Sequence, residues 1–156
     1  MFSAWRRFYG PRRFTVLLVI LLILFAGTPL MLELAIPIAW FDGVVAGPGA
    51  FGVPTLAWSG LFRLATNRRV FAHPADLGEL IAFAEATRRQ PNHRHAEPGE
   101  RHWQLFVRLC RDGGASGNLL PDAYFAAIAM EHGATWVTLD RGFRRWPGVE
   151  VEIPEL

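Results

Sequence analysis

Lysine is absent from this chain: every one of the 16 cationic side chains among its 156 residues is arginine, set against 14 acids for a net charge of +2. Arginine forks match phosphate oxygens, but a lysine-free composition also follows from GC-rich coding, so the absence alone assigns no partner. Cysteine is nearly absent too. The single Cys110 excludes an intrachain disulfide framework and fits a reducing compartment. It lies on the apolar face of "WQLFVRLC", where a buried structural thiol is expected rather than a nucleophile. No internal repeat is present, and no small-x-small cleavage site follows the apolar N-terminal run, which argues against a secretory signal.

Hydrophobic residues make up 51% of the sequence, enough for a packed core, and the length suits one domain. Residues 1–13 form a basic segment with four arginines. Residues 14–32 ("FTVLLVILLILFAGTPLML") carry no charge. Nineteen uncharged residues behind a basic flank fit a membrane-spanning segment, which would anchor the protein in a membrane. The competing reading makes "TVLLVILLILF" a buried parallel strand and "GTP" the turn after it. Residues 14–156 are then one domain with its first strand inside this run.

The remainder alternates helix and strand. A Gly/Pro cluster leads to a short extended piece near Phe51–Pro54 and a helix in "TLAWSGLFRLATN". Pro74 and Asp76 open a second helix, with Leu77, Leu80, Ile81 and Ala84 on its inner face and Arg88 and Arg89 in the last turn, where cations suit the helix dipole. "PNHRHAEPGERH" reads as a polar loop. "GERHWQLFVRLCRDGG" reads as a helix with Trp103, Phe106, Val107 and Cys110 inward, stopped by paired glycines. Pro121 suits the first position of the next helix, Phe125, Ile128 and Ala129 carry its apolar face, Gly133 ends it, and "ATWVTLD" follows as a strand.

Alternating helices and strands imply a parallel sheet, with each helix antiparallel to the strand after it. Eleven helical residues rise roughly 16 Å and six strand residues roughly 20 Å. Asp122 at the helix start and Asp140 at the strand end therefore meet, on the edge where open α/β sheets bind ligands. Two converging carboxylates suit Mg²⁺ or Mn²⁺ together with a substrate phosphate, and such an ion activates water against a phosphodiester. The plain alternative makes Asp122 a partner of the helix dipole and Asp140 the opening of a turn.

Together, "FRLATNRRVF", "EPGERHWQLF" and "GNLLPDAYFAAIAMEHGATWVTLDRGFRRWPGV" resemble the PIN-domain ribonucleases of the VapC toxin type over about Trp40 to Pro154. The resemblance implies a three-layer α/β/α sandwich around a parallel sheet. It also implies Mg²⁺- or Mn²⁺-dependent RNA cleavage in the cytoplasm and a small antitoxin partner, and a homodimer is compatible with it. Asp122 and Asp140 match family acids and would be catalytic and metal-binding. Asn118 and Thr138 match supporting polar positions, and Arg144 and Arg145 follow Asp140 as candidates for RNA contact.

The sequence departs from the family pattern in three places. The first-strand acid falls at about Val19 or Ile20, an acid before "FLR..TN" is replaced by Gly60, and the second acid of the last motif is replaced by Gly142. Glu131 lies some 13 Å beyond Asp122 along its helix, and the path of Glu33 is not set by the sequence. Fewer acids imply weaker metal binding. A PIN fold kept as an RNA- or protein-binding module, or anchored to a membrane through 14–32, is the alternative. His93, His95, His102 and Cys110 are zinc-ligating types, but two stand in the polar loop and Cys110 faces the core.

Overall fold

The computed structural model describes the backbone of residues 15–17 and residues 40–154 in full. Four parallel strands form one sheet: β1 (Thr15–Leu17), β2 (Phe51–Gly52), β3 (Thr135–Val137) and β4 (Glu150–Glu152), in the order β2-β1-β3-β4. Helical residues 40–46 (α1) precede β2. Four helices stand between β2 and β3: α2 (Thr55–Ala65), α3 (Leu77–Arg88), α4 (His102–Asp112) and α5 (Leu119–His132). A 3-10 helix, Arg141–Arg145, joins β3 to β4. The strand order steps one way from β1 to β2 and back the other way to β3. Right-handed crossovers then set α1 and α5 on opposite faces, which makes three layers.

Each boundary has a local cause. Asp76 accepts a hydrogen bond from the Glu79 amide and starts α3. Gly133, at φ 59°, ends α5 in the left-handed region that glycine adopts without a Cβ penalty. α5 begins at Leu119, two residues before the proline that the sequence suggested as its start. Pro121 still falls within the first turn, where no intrahelical amide donor is needed.

Two helices turn differently from expectation. α4 buries His102 and Leu109; Leu105, Phe106, Val107 and Cys110 are half-buried, with Phe106 and Cys110 against the core as expected, whereas Trp103 is 68% exposed. The true stripe is 102, 105, 106, 109, one position back from the apolar pattern 103, 106, 107, 110. Its first member is a histidine, which hid it. The His102 ring stands 4.4 Å from Tyr124, and its Nε2 is 3.0 Å from the Tyr124 carbonyl. α3 buries Ala84 and Thr87, while Leu77 and Ile81 stay exposed. The polar loop also contributes to the sheet. The Phe51 amide donates to the Asn92 carbonyl and the Phe51 carbonyl accepts from the Arg94 amide, giving a parallel bridge from Phe51 to His93 beside β2. The Asn92 side-chain amide donates to the Gly47 and Gly49 carbonyls at 2.9 Å each.

All three residues of β3 are buried. Trp136 stacks between Phe125 of α5 (5.3 Å, 23°) and Phe143 of the 3-10 helix (5.4 Å, 30°). The indole Nε1 has no hydrogen-bond partner, so the ring is held by packing alone. Among the described residues no helix is long and apolar enough to cross a membrane. The run 14–32 lies outside them except for Thr15–Leu17, whose strand sits inside the sheet between β2 and β3.

Because Phe143 is 1% exposed and closes one end of the stack, Phe143→Ala should lower the unfolding free energy by about 3–5 kcal/mol. Urea denaturation followed by near-UV circular dichroism would measure this.

Candidate functional site

Asp122 stands in the first turn of α5. Asp140 follows β3 and caps the 3-10 helix, its Oδ1 accepting the Gly142 amide at 2.7 Å. The Asp140 amide donates to Thr138 Oγ1 at 3.1 Å, and Thr138, 2% exposed, continues the pairing of β3 with β4 through its own amide to the Glu152 carbonyl. Asp140 is thus fixed by three local bonds, at its amide, at its carboxylate and at its carbonyl, which accepts from the Phe143 amide.

The two acids feel each other. Burial pushes the Asp122 carboxyl above the ordinary carboxylate range, the Asp140 charge pushes it further, and the Arg145 guanidinium partly offsets both. Asp122 carries no hydrogen bond or ion pair among the described residues. It is therefore a half-buried carboxylate beside a second one, with a single exposed arginine for compensation. Carboxylate oxygens in that state suit one hard divalent cation, its remaining positions filled by water or phosphate. Among the described residues no group of three or more His, Cys, Asp and Glu is assembled.

The other sequence candidates sort plainly. Asn118 occupies the cap position of α5, is exposed, and makes no side-chain capping bond. Arg145 comes within electrostatic reach of Asp122, a proximity set by how the 3-10 helix folds back, and Arg144 is exposed. Glu131 serves elsewhere: its carboxylate takes the amides of Gly99 (2.7 Å) and Arg101 (2.8 Å) and holds the turn into α4. Burial opposes its ionisation, yet these two bonds and the charges of His102 and His132 hold its pKa below the usual value. His93 packs edge-on against Phe51, 5.4 Å away, while His102 packs on Tyr124, so the zinc-ligating types remain apart.

The missing acids leave marks on the site. A Cβ at Gly142 would stand 2.9 Å from Asp140 Oδ1, so an acid there requires the Asp140 carboxylate to shift. Leu17 is paired with Val137, three residues before Asp140. Three residues beyond Leu17 in sequence is Ile20, and the intervening types are apolar. The positions of Val19, Ile20 and Glu33 lie outside the described residues.

A family model described as "PIN domain" matches residues 38–149. The chain belongs to the PIN-domain family. Among curated relatives, this PIN domain is 46% identical to ribonuclease VapC31 of Mycobacterium tuberculosis over 117 residues, covering 75% of this chain and 82% of that protein. It is also 46% identical to ribonuclease VapC25 of the same organism over 110 residues, covering 70% and 78%. Its fold is similar to VapBC2 from Rickettsia felis, solved with a promoter DNA fragment, at TM-score 0.60 and 12% identity over 90% of this chain and 98% of that one. A toxin–antitoxin complex from Klebsiella pneumoniae gives TM-score 0.55 at 18% identity, covering 86% and 94%. The three-layer α/β architecture expected from the sequence is that of the family.

Between the ordinary aspartate pKa and the raised value of Asp122, the folded PIN domain holds more protons than the unfolded chain. Stability therefore falls as pH rises through that window and stays lower above it. Asp122→Asn should raise the denaturation midpoint at neutral pH, and the gain should vanish once the pH drops below about 3.9. Urea titrations at a series of pH values measure both.

Proposed function

We propose that this PIN domain is a cytoplasmic, metal-dependent endoribonuclease, the toxin of a toxin–antitoxin pair. The reading is carried by one observation: Asp140, after the end of β3, comes near enough to Asp122 for its charge to act on it, and neither carboxylate has an ion pair among the described residues. Relatives at 46% identity are named ribonucleases, and structural neighbours at lower identity are toxin–antitoxin complexes.

Asp122 and Asp140 would hold Mg²⁺ or Mn²⁺, which when bound supplies an activated water and neutralises the leaving oxygen of the phosphodiester. The chain's own residues set the conditions. The Gly142 amide fixes one oxygen of Asp140 and leaves Oδ2 for the site. Thr138, buried, anchors the backbone of Asp140. Burial of Asp122 weakens its hydration and strengthens its preference for a cation over water. Arg145, exposed beside Asp122, is set to meet a phosphate of the RNA, and Arg144 extends that cationic edge. The small antitoxin would shield this edge in the resting pair.

A second reading, a PIN fold that binds RNA or protein without cutting, draws on the apolar residues at Val19 and Ile20 and the glycines at 60 and 142. Cleavage of single-stranded RNA by the purified protein separates the two. Activity should need Mg²⁺ or Mn²⁺, stop with chelator, and fall by roughly a hundredfold or more in Asp122→Asn and in Asp140→Asn. Cleavage that survives both substitutions, or none from the parent protein at any metal concentration, would refute the nuclease reading.

A further inference from the structure

The outward face of α4 carries a tryptophan that the core does not use. Trp103 is 68% exposed, yet its ring is not loose: it leans on Phe106, with centroids 5.9 Å apart, and Phe106 stacks on His102 in turn. A shallow groove of about 400 Å³ runs beside it, lined by Trp103, Gln104, Val107, Arg108, Arg111 and Asp112. Arg108 and Arg111 are exposed, and their guanidinium groups make no hydrogen bond or ion pair among the described residues.

We propose that this groove is a second RNA-contact site, in which Trp103 stacks a base of single-stranded RNA while Arg108 and Arg111 take the adjoining phosphates. Aromatic stacking with arginine contacts is the combination that holds single strands without sequence preference. The ring is pre-positioned by Phe106, so little freedom is lost on stacking. Trp103 and Val107 are the large apolar residues of the groove, so its charge decides the occupant. The two free guanidiniums against one acid, Asp112, favour a polyanion.

The C-terminal end of α4 lies against the residue that follows the 3-10 helix. Trp103, Val107 and Arg111 follow one another at four-residue spacing over about 12 Å of helix. At the far end, Gly113 lies against the Trp146 ring, where a Cβ would come within 2.5 Å of Cζ3. Trp146 follows Arg145, the cation that Asp122 feels. The site rests on the reading of RNA as substrate.

The test is fluorescence anisotropy with a labelled single-stranded oligoribonucleotide and the full chain carrying Asp122→Asn, so that binding is read without cleavage. Trp103→Ala should weaken binding about tenfold, and Trp103→Phe should recover most of it. Arg108→Gln with Arg111→Gln should weaken binding and lower the salt slope by about two. Unchanged affinity in Trp103→Ala, with the parent binding RNA, would overturn the groove site and leave the nuclease reading standing. Absence of RNA binding by the parent would overturn both. If sedimentation shows that Trp103→Ala breaks a self-association while RNA affinity is unchanged, the groove is a protein contact and the proposal fails.

Discussion

The stack of Phe125, Trp136 and Phe143 is the contact on which the site depends. Phe125 comes three residues after Asp122 on α5, and Phe143 three residues after Asp140 on the 3-10 helix. Trp136, fully buried between them on β3, fixes how far apart those two elements stand. Neither acid makes a bond to the other, and two carboxylates left to themselves would separate. Hydrophobic packing holds their helices in place against that repulsion, which is why a half-buried carboxylate can persist with its pKa raised.

Electrostatics and the departures from the family pattern pull in opposite directions. A pair of carboxylates repelling each other is poised for a cation, and the further charge that Asp122 feels is an arginine rather than a third acid. Fewer acids mean less repulsion to relieve and weaker metal binding. They also leave the site less negative toward an incoming phosphate. The Asp140–Gly142 turn belongs to this trade: glycine at 142 allows the capping bond that orients Asp140, and it is one of the positions where an acid is missing.

Much of this was readable in the chain. The helix expected to run eleven residues runs 14 and the strand expected to run six runs 3, yet the stop at Gly133 and the run "TWV" were enough to bring Asp140 near Asp122. The paired motifs around them pointed to the PIN family. What was not readable depends on contacts between distant segments. A histidine at the head of the buried stripe of α4 shifted the apparent apolar face by one residue and concealed the exposure of Trp103. The bonds of Asn92 to the carbonyls of the 47–49 turn, and of Glu131 to the turn before α4, join residues 30 or more positions apart. Local pattern carries no trace of such bonds. Arg145 reaches Asp122 only because a 3-10 helix, rather than a longer strand, follows β3.

Whether the acid pair is a metal centre is tested most directly by calorimetric titration of Mn²⁺ into the purified protein, alongside Asp122→Asn and Asp140→Asn. Saturable binding in the parent, abolished by either substitution, is the expected result. No binding at millimolar metal, or binding that both variants retain, would contradict it and leave the two carboxylates as neighbours that packing alone has brought together.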